Sequence, residues 1–159
     1  MSFSPQSKVW IYQSNRKFTS VEENEILQKL ESFTEAWKAH GNELLAKAEI
    51  RYGFFIILTV DESQASITGC SIDSSVKLMK EIEQEYHVDL FNRFNISYLL
   101  DNEVKVQNKE DFETLVNIKQ ITPDTIVFNN MVQTLQELET KWKVPFKNSW
   151  HSTVFAHLL

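Results

Sequence analysis

The chain has 159 residues, 42% of them hydrophobic and 12% aromatic, with a formal net charge of −6. That is enough apolar material for one well-formed core, and a single globular domain is expected. The net negative charge, without a cluster of Lys and Arg, argues against a nucleic-acid surface, and the longest apolar run, Phe54 to Leu58, is far short of the roughly 20 residues of a membrane helix.

The start, MSFSPQSKVW, has neither a charged n-region nor a long apolar stretch, so no secretory signal is expected and cytoplasmic residence follows by default. Cys70 is the single cysteine; it cannot form an internal disulfide, and a reducing compartment fits.

Val9-Trp10-Ile11-Tyr12 is a compact β-branched and aromatic run that predicts a strand. Ser20 with Glu23 makes a capping-box pattern ahead of a helix whose apolar stripe is Ile26, Leu27, Leu30, Phe33 and Trp37, with Gly41 where a C-cap would stand. Ala46 to Tyr52 alternates as a strand with one wet face. After Gly53, Phe54 to Val60 reads as a central strand covered on both faces, so the two are expected to form a hairpin or a bent pair. A helix follows that opens on Gly69-Cys70-Ser71, where Ser71 can cap, and runs on from about Ile72 to His87.

Asp101-Asn102 between two β-like runs, Asn95 to Leu100 and Glu103 to Gln107, predicts a hairpin turn. Asn108 can cap a short helix containing Phe112, Leu115 and Val116, and Thr125 to Phe128 is a further strand. Thr134 with Glu137 repeats the capping box before a last helix carrying Leu135, Leu138 and Trp142, which should stop before Pro145. The tail from Phe146 onward is apolar without a clear period; Trp150 in it is expected to anchor the tail, the alternative being part of a recognition surface.

The order β-α-β-β-α-β-β-α-β-α begins with the ferredoxin-like β-α-β-β-α-β pattern, so an α+β two-layer sandwich with extra C-terminal strands and helices is expected. A doubly wound α/β fold is the alternative, because three strands each lead into a helix.

No cofactor and no metal follow from the motifs. A phosphate loop or dinucleotide fingerprint needs closely spaced glycines, and the chain has only Gly41, Gly53 and Gly69. His40, His87, His151 and His157 are scattered, with no helical i, i+4 pair. The acidic residues concentrate on the expected helices (Glu22, Glu23, Glu25, Glu31 and Glu35; Glu81, Glu83 and Glu85; Glu137 and Glu139) and read as solvated faces.

Two sets of residues carry candidate chemistry. The strands ending at Tyr12, Val60 and Phe128 are expected to be aligned, the first two adjacent and parallel. Their shared edge would collect Gln13, Asn15, Arg16, Asp61, Glu62, Asn129 and Asn130 beside Ser71, a binding cleft lined by Arg16, Asp61 and Asn129. Ordinary strand-ending polarity accounts for the same residues. Cys70 is expected to be a buried small hydrophobe. The alternative is a nucleophile at a helix start, with His151 as base and Asn129 or Asn130 stabilising an oxyanion.

Val9-Trp10-Ile11-Tyr12-Gln13, Gly69-Cys70-Ser71-Ile72-Asp73, Phe128-Asn129-Asn130 and Ser149-Trp150-His151 together resemble an uncharacterised family of short bacterial proteins often labelled ABC transporter ATPases. The resemblance covers nearly the whole chain and implies no established activity. The ATPase label would require a Walker loop that the sequence lacks. Two functional expectations follow: a cytoplasmic domain binding a partner protein or a small polar ligand, or a small thiol-dependent enzyme built on Cys70.

Overall fold

The computed structural model describes residues 2–39 and 41–158. Their packing divides into two units, the first running to Phe91 and including Gln133–Gln136, the second holding Asn92–Val132 and the chain from Glu137 onward. His40 lies outside the described residues.

In the first unit, β1 (Lys8–Gln13) leads to α1 (Ser20–Ala36), a two-rung hairpin of β2 (Lys38–Ala39) and β3 (Asn42–Glu43), then β4 (Leu45–Arg51), β5 (Phe55–Asp61) and α2 (Gly69–Tyr86). The sheet order is β1-β5-β4. Arg51 faces Phe55, and the turn between them holds Tyr52 (φ 58°) and Gly53 (φ 69°) left-handed, with Phe54 N–H donating to Arg51 O at 3.1 Å. Two successive positive φ values give the twist that a tight hairpin needs, and Gly53 takes its place without a Cβ penalty.

All seven residues of β5 are buried, as its apolar run predicts. Ile56, Leu58 and Val60 meet Ile26 and Leu30 of α1 and Met79 and Ile82 of α2, so both helices cover one face of the sheet. Burying a side chain of this size contributes roughly 1.5–3 kcal/mol. The unit is a two-layer α+β structure.

Three local expectations shift. The capping box of α1 sits one residue earlier, on Thr19 and Glu22. Gly41 (φ 80°) belongs to the β2–β3 hairpin rather than to a C-cap, because α1 ends at Trp37 in extended backbone. α2 opens at Gly69 as expected, but its cap is Thr68, whose side chain accepts from Ser71 N–H, and not Ser71.

One correction is topological. β1 and β5 are adjacent as expected, but antiparallel, with Lys8 opposite Val60 and Gln13 opposite Phe55. β4 also runs antiparallel to β5, so β1 and β4 are parallel with β5 inserted between them, a split β-α-β arrangement. The β4–β5 hairpin reverses the chain, so the parallel partner of β1 is β4, reached through α1.

The other edge of β1 pairs with the Gln133–Leu135 segment: Val9 N–H donates to Gln133 O at 3.0 Å and Leu135 N–H to Ser7 O at 2.8 Å. This segment takes the edge where the ferredoxin-like order would put its fourth strand.

The second unit contains β6 (Ile96–Leu100), β7 (Glu103–Gln107), α3 (Lys109–Asn117), β8 (Ile126–Phe128), the greater part of α4 (Leu135–Lys141), β9 (Lys143–Pro145) and α5 (Trp150–Val154). Its sheet order is β7-β6-β8-β9, and every pairing in it is antiparallel. Antiparallel pairing throughout the described strands excludes the doubly wound alternative. Asp101 (φ 52°) and Asn102 (φ 64°) form the predicted turn, and Asn108 Oδ1 accepts from Asp111 N–H at 2.8 Å as the predicted cap of α3. Phe112, Phe146 and Phe155 form the aromatic centre of this core, with Phe112 stacked on Phe146 at 5.5 Å and tilted against Phe155 at 5.0 Å. Among the described residues, no helix is long and apolar enough to cross a membrane.

Candidate functional site

The shared cleft expected for Arg16, Asp61 and Asn129 is not formed. Antiparallel pairing puts the end of β1, and with it Arg16, at one edge of the sheet and the end of β5, with Asp61, at the other. Asn129 follows β8 in the second unit.

Most of the candidate binding residues are engaged by backbone close at hand. Asn15 exchanges hydrogen bonds with Asp89, backbone N–H to Asp89 O at 3.2 Å and Oδ1 from Asp89 N–H at 2.9 Å. Arg16 grips both oxygens of Glu22 at 2.8 Å and the Tyr86 carbonyl at 2.7 Å. Asp61 accepts from Ser4 and Ser63 N–H, bonds that hold its carboxyl below the usual range, and Glu62 pairs with Lys8 at 2.9 Å while accepting from Ile67 N–H.

Ser71 Oγ donates to Lys38 O at 2.8 Å. Asn129 Oδ1 accepts from Met131 N–H, and Asn130 Oδ1 accepts from Trp142 Nε1 at 2.9 Å. Gln13 is a buried residue of β1 opposite Phe55. These are the bonds of turns, caps and packing, and they leave little free polarity for a small ligand.

Cys70 is exposed in the first turn of α2, contrary to the expected burial. His151 is 2% exposed in the second unit; its Nδ1 lies 2.7 Å from Ser149 Oγ, and burial lowers its pKa to about 4. An imidazole shut from solvent and neutral at pH 7 is poorly placed to activate an exposed thiol. Trp150 is 40% exposed and stacks on His151, so Phe146, His151 and Phe155 tie down the tail and Trp150 does not. Among the described residues, no group of three His, Cys, Asp or Glu side chains is arranged to hold a metal ion.

A surface feature absent from the sequence reading lies on the first unit, between the outer faces of α1 and α2. Tyr86 Oη donates to Glu25 at 3.0 Å, Lys29 pairs with Glu85 at 3.1 Å, and Trp37 Nε1 donates to Ser71 O at 2.9 Å, fixing the helices antiparallel. The groove has a volume of about 650 Å³ and is lined by the half-buried Phe33 and Leu78, by Glu25, Glu81 and Glu85, and by Lys29. Burial, then Glu25, raises the Tyr86 phenol to about 12. The acidic residues at Glu25, Glu81 and Glu85 were the available signal; their convergence depends on how the helices pack.

No protein-family model, curated protein or solved structure matches the chain.

Proposed function

We propose that the chain is a non-enzymatic, cytoplasmic binding domain whose ligand is a partner protein. The observation that carries this reading is the large apolar side chains left in water on the second unit: Phe94 at 78%, Met131 at 69% and Ile118 at 59% exposure, with Trp150 and Val154 one helical turn apart on α5. Aromatic residues and Met are the types enriched where protein interfaces form. The polar groups that would have served a small ligand are, for the most part, spent on turns and caps. The thiol-enzyme alternative has less support, since its base is buried and neutral. The resemblance to short bacterial proteins fits this reading once the ATPase label is set aside.

The test is a photo-cross-linking amino acid placed in the full chain at position 94 or 131, with exposed Glu110 as control. Discrete adducts from 94 and 131 but not from 110 are expected in cells. No adduct, or the same adducts from all three positions, would refute the reading.

A further inference from the structure

We propose that the groove between α1 and α2 is the docking surface for a basic amphipathic helix of a partner protein. The inference concerns a different surface from the one above and stands independently of it. Its first support is shape. Phe33 and Leu78 in the groove's lining are only half buried, and the stretch from Glu25 to Phe33 offers about 12 Å of helix-flanked channel at 1.5 Å per residue. An amphipathic helix laid in such a channel buries its apolar face against them and presents its flanks to the rims.

The second support is charge. α1 carries Glu22, Glu23, Glu25, Glu31 and Glu35 against Lys29, and α2 carries Asp73, Glu81, Glu83 and Glu85 against Lys77 and Lys80. Glu81 and Glu85 stand one turn apart on the same face, where like charges repel. Lys29 answers Glu85, but among the described residues Glu81 has no ion pair. Cations on the flanks of a guest helix would relieve that repulsion, and the net field of the two helices would steer such a guest inward. An acidic guest would meet the opposite field.

The test uses the full chain and a fluorescein-labelled peptide of about 14 residues, roughly 21 Å as a helix, with leucines at i, i+3, i+4 and i+7 and Lys or Arg elsewhere. The same composition in scrambled order and the polycation spermine serve as comparators. The amphipathic peptide is expected to bind about tenfold more tightly than either comparator, with affinity falling as salt rises. NMR shifts should fall on α1 and α2.

The double variant Glu81→Gln, Glu85→Gln and, separately, Ser32→Lys on the groove wall should each weaken binding about tenfold. All are solvent-side changes, and an unaltered urea midpoint would show that the fold survives. The proposal is overturned if the scrambled peptide or spermine binds as tightly, if folded variants bind unchanged, or if the shifts fall elsewhere.

Discussion

Replacing Arg16 with Met keeps the aliphatic stem and removes the guanidinium that joins three parts of the first unit. Nη1 and Nη2 each bond one oxygen of Glu22 at 2.8 Å, and Nη2 also donates to the Tyr86 carbonyl in the last turn of α2, at 2.7 Å. Glu22 in turn accepts from Thr19 N–H at 2.9 Å, closing the cap of α1. These contacts, Arg16 first, hold the Glu22 carboxyl at about 2 against an ordinary 4.5. Linkage converts that difference to at most about 3 kcal/mol. The Arg16 side chain is 40% exposed, so solvent screening brings the pair down to about 1–2 kcal/mol. Loss of a partner for the helix-end carbonyl adds about 1 kcal/mol, and Arg16→Met should destabilise the first unit by about 2–3 kcal/mol at pH 7.

The pH dependence separates the charged part from the rest. A carboxyl whose folded pKa is depressed contributes fully above its unfolded value and loses that contribution as pH falls through the folded one. The gap between parent and variant should therefore be widest above 4.5, narrow steadily toward 2, and leave only the carbonyl part there. Hydrogen exchange of β5 amides in urea follows the openings that expose the central strand of the first unit. A gap below about 0.5 kcal/mol at pH 7, or one that does not change down to pH 2, would refute the reasoning.

His151 makes the complementary prediction for the second unit. Its folded pKa is lowered to about 4 from 6.5, so the unfolded chain takes up the proton first and stability should fall by up to about 3 kcal/mol as pH drops across that window; His151→Gln should flatten the slope in a pH series of β6 amide exchange. Phe155→Ala should cost about 3–5 kcal/mol in urea unfolding, whereas Trp150→Ala should cost less than about 1 kcal/mol, since only Phe155 is fully buried. Calorimetric titration with magnesium and ATP should give no heat of binding; a micromolar Kd would count against the absence of a phosphate loop.

The elements legible in the sequence were those whose signal is local. Asp101-Asn102 specified its turn because the flanking runs are β-like and both residues tolerate positive φ, and Asn108 marked the start of α3 because its side chain replaces a missing helical acceptor. The strand expected over Phe54 to Val60 was legible as a central one because a short, nearly continuous run of apolar, aromatic and β-branched residues fits burial on both faces, and the strand found is Phe55–Asp61. Strand direction was misread rather than hidden. A hairpin after Gly53 was expected, and once α1 carries the chain from β1 to a parallel β4, that reversal at Tyr52 and Gly53 makes β5 antiparallel to β1. The short β2–β3 hairpin was missed for a related reason, since Gly41 serves a turn as readily as a helix C-cap.

That single reversal also dissolved the expected cleft, and the residues left behind show why loop polarity is weak evidence for a site. A strand that stops must satisfy the backbone groups beyond its last rung, and Asx and carboxylate side chains do this with the oxygens a ligand would otherwise use. Asp61 accepts from Ser4 and Ser63, and Asn129 from Met131, so the letters that suggested binding describe loop closure. The helix faces behave differently. Glu25, Glu81 and Glu85 read one by one as solvated charges, and only the antiparallel packing fixed by Trp37 on Ser71 and Tyr86 on Glu25 brings them around one groove. Polarity that closes a loop is consumed on backbone N–H groups. On these helix faces Glu25 and Glu85 are engaged by Tyr86 and Lys29, Glu81 has no ion pair among the described residues, and the grouping is decided by packing between elements far apart in the chain.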